Sequence, residues 1–312
     1  PGGRLVITTP LRASKHSLNP YHLYEYTDLE LRALLGTHFD IEQFERVSGG
    51  DGEEARIVAA RRNQPVPPSA QVPPERVNER ALEWLRESRH PEGGRFRPDK
   101  EPTVLASCWH VLTLEGLGHL GDLSSEVKGR WVEQLRGSQR EDGVYCTPED
   151  GPTPTHDLEY LDLQTGYFCL HALDALGEKP LRSPQLPKAI LQEGAKRWLE
   201  SLDWSNAWLQ SNRVMFVLSL LIWRAEHEGD GVAIQRVHEI LDGLETLQDP
   251  TTGFWGTREG ASLLNGMAAA YHFLPFYRYA QRPLRMTAQM IDHVLALQQP
   301  DGLFGSGLGG GA

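Results

Sequence analysis

A single turn pattern recurs along this chain at intervals of about 50 residues, and that period limits the possible folds more than any other feature. Leu297-Gln-Gln-Pro-Asp-Gly-Leu-Phe304 has relatives at Leu135-Arg-Gly-Ser-Gln-Arg-Glu-Asp-Gly-Val-Tyr145, Leu247-Gln-Asp-Pro-Thr-Thr-Gly-Phe-Trp255 and Leu85-Arg-Glu-Ser-Arg-His-Pro-Glu-Gly-Gly-Arg-Phe96. A degenerate copy stands at Leu199-Glu-Ser-Leu-Asp-Trp-Ser-Asn-Ala-Trp208. The closing aromatics Phe96, Tyr145, Trp208, Trp255 and Phe304 follow one another by 49, 63, 47 and 49 residues. Each copy ends an amphipathic stretch in a polar turn whose Gly supplies a positive φ, and the aromatic after it folds back to pack. A chain built this way is an array of helical hairpins, each burying an apolar face on the next.

The helices divide into two kinds. Charged, amphipathic helices leading into the turns are predicted over 76–88, 125–139, 187–202, 232–248 and 285–298. Apolar helices rich in small residues follow over 104–117, 164–176, 212–225 and 261–279. A helix that is apolar nearly all round must be buried, so the second set is expected to form an inner layer and the first an outer one. The turns, as in Gln139-Arg-Glu-Asp-Gly-Val-Tyr145, resemble the Gln/Gly/Trp repeats of the terpenoid cyclase and protein prenyltransferase α/α-toroid superfamily. That resemblance spans residues 76–312 and implies a mainly α fold, an α/α toroid. Nine helices fall short of the twelve that six hairpins need, so the ring is expected to be open at its C-terminal side. The acidic Asp-x-Asp-Asp motif of the cyclases has no counterpart in this sequence, and no zinc-binding Asp, Cys and His set of the prenyltransferases can be aligned.

Residues 4–9 are a β-branched run after a Gly-Gly turn and read as a buried strand. Strands are also predicted over 39–47 and 55–61, with a helix over 28–35 capped by Thr27. Pro1-Gly-Gly-Arg-Leu-Val-Ile-Thr-Thr-Pro10, the Asn19-Pro-Tyr-His22 loop and the later strands resemble the C-terminal third of a class I S-adenosylmethionine-dependent methyltransferase. The resemblance covers residues 1–62 and implies a truncated α/β remnant whose parent chain used S-adenosylmethionine. The Gly-rich loop and acidic strand end that hold the cofactor in such folds are missing here, so no cofactor site is expected in this stretch. The resemblance also makes His22 a candidate general base or substrate contact. Residues 63–75 read as a Pro-rich linker between the two domains. With no initiator Met, a strand pattern at once, and a Gly-rich run over 302–312, the chain reads as an internal piece of a longer polypeptide.

Composition narrows the partners. Net charge is −11, which argues against phosphate-rich nucleic acid and against an anionic membrane surface. Three cysteines without C-x-x-C spacing argue against a disulfide framework or zinc knot and fit a cytoplasmic protein acting on a small molecule. The oligomeric state is open.

Two polar constellations are candidates for chemistry. Aligning the apolar helices on their first polar residue places Thr103, Gln164, Asn212 and Asn265 in one register, and seven residues on stand His110, His171, Ser219 and His272. If that face points inward, these residues, with Tyr167, line a substrate pocket; otherwise the histidines are inherited from one ancestral hairpin and hydrogen-bond between neighbouring inner helices. Convergence on a metal is disfavoured by the width of such a ring, so no metal ligand is assigned. The second constellation is the insertion Thr153-Pro-Thr-His-Asp-Leu-Glu-Tyr-Leu-Asp-Leu-Gln164. There His156, Asp157, Glu159 and Asp162 are candidate acids, bases or sugar ligands above a cavity, or else a helix-capping loop, with Asp162 just ahead of a helix. Aromatic residues including Trp109, Phe168 and Phe216 suit a polyprenyl chain or a sugar ring, or serve as core. Three functions therefore stand. One is a methyltransferase fused to a toroid that binds or acts on an isoprenoid- or glycan-type metabolite. The others are a carbohydrate-active (α/α) barrel and a non-catalytic scaffold.

Overall fold

The computed structural model describes residues 4–10, 40–49, 52–60, 74–95, 100–146, 156–186 and 194–298. The Pro-rich segment 63–73, the expected helix at 28–35, His22, and the turn aromatics Phe96 and Phe304 lie outside these residues. The described chain is mainly helical. It divides into two compact units, one of residues 72–202 and 212–244, the other of residues 1–71, 203–211 and 245–312.

Three strands come first: β1 (Arg4–Pro10), β2 (Asp40–Gly49) and β3 (Gly52–Ala60). They match the three predicted runs to within a few residues. β2 and β3 form a hairpin whose last pair is Gly49↔Gly52, and β3 also pairs antiparallel with β1, so the order is β1-β3-β2. The register places Val6 opposite Val58 and Ile7 opposite Ile57, with Phe44 across from Ile57 on the other side. A bulge between Ile41 and Gln43 shifts β2 by one residue. β1 and β2 therefore run parallel to each other, with an antiparallel strand between them.

Helix α1 (Pro74–Ser88) starts on a proline, which suits a first turn because the missing N–H has no intrahelical partner there. A two-residue ribbon follows, β4 (Arg89–His90) against β5 (Gly93–Gly94). Gly94 is required at that place: a Cβ would stand 2.6 Å from both Ala106 O and His110 Nδ1. Next come α2 (Val104–Gly116), α3 (Ser125–Gly137), α4 (Leu158–Ala175) and α5 (Ala195–Ser201). α6 (Ala207–Glu228), α7 (Gly231–Leu247), α8 (Leu263–Tyr279) and α9 (Thr287–Leu297) complete the described helices. No helix among the described residues is long and apolar enough to cross a membrane.

From residue 76 on, helices stand where each was predicted, and three boundaries differ from expectation: α5 begins at Ala195, with 187–193 outside the described residues. α4 begins six residues before Gln164 and α6 five before Asn212, because Asp157 and the 204–206 turn start them earlier. Among the described helices, α2 and α4 make the densest pair. They meet at Cys108 and Cys169, whose sulfurs lie 3.8 Å apart, and both residues are fully buried.

The recurring turn has a physical explanation. After α3, Gly143 takes φ +85°, and after α7, Gly253 takes φ +76°. Gln139 Nε2 donates to Gly143 O (3.1 Å) and to Arg182 O (2.9 Å), and its Oε1 accepts from Arg182 N (2.9 Å). Gln248 repeats the arrangement, donating to Gly253 O (2.9 Å) and Arg285 O (3.0 Å). One side-chain amide thus closes its own turn and ties it to the chain about 40 residues later. The aromatics Tyr145 and Trp255 are buried behind these turns, as the repeat implied.

Candidate functional site

The described part of the insertion, 156–164, forms the start of α4; Thr153, Pro154 and Thr155 lie outside the described residues. Asp157 is the N-cap, its Oδ1 accepting from Tyr160 N at 2.8 Å. Asp162, expected ahead of the helix, lies in its second turn. The cap comes earlier because Asp157 alone has an extended backbone with its carboxylate over the free amides.

Arg213 of α6 reaches this helix end. Its Nη2 donates to Asp157 Oδ2 at 2.7 Å and its Nη1 to Glu159 Oε1 at 3.4 Å, and its guanidinium carbon lies 5.4 Å from the Tyr160 ring centroid. Arg213 is 9% exposed at its side chain, so two carboxylates offset a nearly buried charge. Burial pushes the Asp157 carboxyl up, but hydrogen bonds from Arg213 and from Tyr160 N–H outweigh it and leave the pKa lowered. Asp162 stands the other way: burial raises its pKa, although Arg140 Nη1 donates to it at 3.2 Å and pulls downward. Three of the four candidate acid and base residues are therefore held in ion pairs. The fourth, His156, packs its ring 4.5 Å from that of Tyr160.

From this charged end a run of rings extends along α4. Tyr160 and Tyr167 lie 5.6 and 5.1 Å from Phe216, Tyr167 lies 5.0 Å from Phe168, and Phe168 lies 5.7 Å from Trp109 of α2. Gln164, Phe168 and His171 share the partly exposed stripe of α4, at the i, i+4, i+7 spacing of one helical face. Trp109 is 48% exposed. His171 packs edge-on to Tyr167 at 4.6 Å, and burial of its ring lowers its pKa to about 4. The result is a run of rings with Tyr160, Tyr167 and Phe216 in the core and Phe168 and Trp109 reaching the surface, with a compensated charge cluster at the other end. The open end can meet flat or apolar groups.

The remaining candidates lie elsewhere. Thr103 is the N-cap of α2, accepting from Ala106 N at 3.1 Å. Asn265 sits in the first turn of α8, its N–H given to Ser262 Oγ, and Asn212 is buried beside Arg213. His110 is 1% exposed, with Nδ1 2.8 Å from Ala106 O and Nε2 2.9 Å from Ser88 Oγ, and Trp84 packs on its ring. Burial lowers its pKa, with Arg89 and Arg95 adding to the effect. In the other compact unit His272 has the same surroundings: Nδ1 lies 2.8 Å from Ser211 Oγ, Trp208 packs on the ring, and burial lowers its pKa to about 4. Both rings are wedged into packing by a Trp and a Ser rather than turned to an open face. Among the described residues no three His, Cys, Asp or Glu side chains group to hold a metal.

Sequence reasoning missed Arg213, Ser88 and Ser211. Arg213 left a signal, a cation directly ahead of the apolar run 214–223; the two serines left none. Neither a family model nor a curated protein matches the sequence.

Proposed function

We propose that residues 4–60 close the sheet of a class I S-adenosylmethionine-dependent methyltransferase and that the helical hairpins, an open α/α toroid, hold its isoprenoid-type substrate. The strand order β1-β3-β2 supports the first half. Two parallel strands with an antiparallel one between them are a natural end for an otherwise parallel, doubly wound sheet. These strands carry neither a Gly-rich strand-to-helix loop nor an acidic strand end, so nothing in them fits S-adenosylmethionine, and no step runs through it here.

The observation that supports the second half is the open end of the ring run, where Trp109 is 48% exposed and the partly exposed Phe168 stands 5.7 Å from it, backed by the buried rings of Tyr167 and Phe216. Two such rings offer an apolar chain a contact area without a charge to desolvate. The carbohydrate-active reading has less to stand on, because Asp157, Glu159 and Asp162 are each taken up by an arginine. The decisive experiment titrates the chain with farnesol and, separately, with a soluble glucan oligosaccharide, following Trp fluorescence. Farnesol is expected to bind, and Trp109→Ala to weaken it about tenfold, the loss of one stacked ring. Saturable glucan binding instead would replace this reading with the carbohydrate one, and binding of neither would leave the scaffold reading.

A further inference from the structure

All three cysteines of the chain, 38 and 23 residues apart in sequence, gather at one place. Cys108 Sγ of α2 lies 3.8 Å from Cys169 Sγ of α4, Cys169 Sγ lies 3.6 Å from Ser138 Oγ, and Cys146 Sγ lies 3.6 Å from Ser138 O. Cys108 and Cys169 are both fully buried, on the face where the two helices meet, while Cys146 is half-buried. From the geometry we infer that Cys108 and Cys169 are an oxidation site, joined by a low-molecular-weight disulfide into a reversible staple between α2 and α4.

The sulfurs need to close from contact to about 2.0 Å, a movement within reach of side-chain rotation and a small helix shift. The step balances. One protein thiolate attacks the added disulfide, displacing a small thiolate and forming a mixed disulfide. The second protein thiolate then displaces the other small thiolate, so the protein loses two electrons and two protons, and the reagent becomes two thiols. Burial holds the Cys108 thiol protonated, with the hydrogen bond to Cys169 acting in the same direction. The pair is therefore inert while the helices are closed and reacts only as they breathe.

The staple has a consequence for the aromatic strip, and this part rests on the proposed function. Cys108 precedes Trp109 and Cys169 follows Phe168, so drawing the sulfurs together moves the two rings at the open end of the strip. Oxidation would thereby tune the surface assigned to substrate.

The test incubates the whole chain with oxidised glutathione, blocks free thiols under denaturing conditions, and maps the peptides by mass spectrometry. The expected product links the Cys108 and Cys169 peptides and leaves Cys146 alkylated. The melting temperature is expected to rise by about 10 °C, as for a loop of this length, in the native chain and in Cys146→Ser but not in Cys108→Ala or Cys169→Ala. Cys108 and Cys169 both free after oxidation, glutathione retained on either of them, or a link through Cys146, would overturn the proposal. The mapping is independent of any ligand, so it stands even if farnesol does not bind. If the link forms but Trp fluorescence does not change, the coupling to the aromatic strip fails and the staple remains.

Discussion

The buried histidines make this protein sensitive to mild acid at single positions. His272 is 5% exposed and faces Ser211, Trp208 and Tyr271, and its pKa falls from 6.5 to about 4 because its charged form is desolvated. The unfolded ring takes up a proton near pH 6.5 and the folded one only near pH 4. The stabilisation from keeping it neutral is thus complete above pH 6.5 and is lost as pH falls toward 4, by about 3 kcal/mol. His171 behaves alike. His272→Gln keeps a donor for Ser211 and removes the titration, so its melting temperature should decline less steeply between pH 6.5 and 4 than that of the native chain. An unchanged slope would mean that the ring is protonated in the fold. Arg213 is the other residue on which much depends. Replacing it with Leu frees two carboxylates near each other while Asp157 still caps its helix, so the cost should be about 2 kcal/mol in urea unfolding, reduced by the exposure of Asp157.

The turns matter most at the level of the element. Gly143→Ala asks an L-residue to hold φ +85° and drives a Cβ into the Ser183 carbonyl, so the loss should be about 3 kcal/mol and α3 and α4 should exchange amide protons faster. Gly177 offers a control, since a Cβ there meets nothing within 4 Å and only the backbone penalty at φ +74° remains. These turns were legible in the sequence because Gln, Gly and an aromatic each have one physical task, and all three recur together. The strands were legible for a similar reason, as β-branched runs between breakers. Side-chain direction was not. The spacing that aligned His110, His171 and His272 gave the level of each residue along its helix but not its angle round the axis. Of two neighbours on α2, His110 turns to Ser88 while Trp109 is left exposed, a difference that spacing alone does not carry. The cap at Asp157 rather than Asp162 escaped notice because several carboxylates were chemically eligible. What distinguishes Asp157 among them is its extended backbone, which holds the carboxylate over Tyr160 N.

For the whole molecule the repeat implies that stability is a sum of local parts. Gln139 closes its turn against Arg182, and both lie in one compact unit; Gln248 closes its turn against Arg285, and both lie in the other. The two clamps share no residue and no hydrogen-bond partner. Gln139→Ala and Gln248→Ala should each cost about 2 kcal/mol, since each strands buried carbonyls that had a charge-neutral donor. Because the clamps lie in different compact units and share no partner, the double variant should lose the sum of the single losses to within about 0.5 kcal/mol. Urea unfolding of the four proteins measures this directly. A coupling of 1 kcal/mol or more would mean that the hairpins fold as one cooperative body, as expected if they close on each other in a ring. A coupling near zero, with two separate unfolding transitions in the double variant, would mark an open array whose units stand on their own clamps.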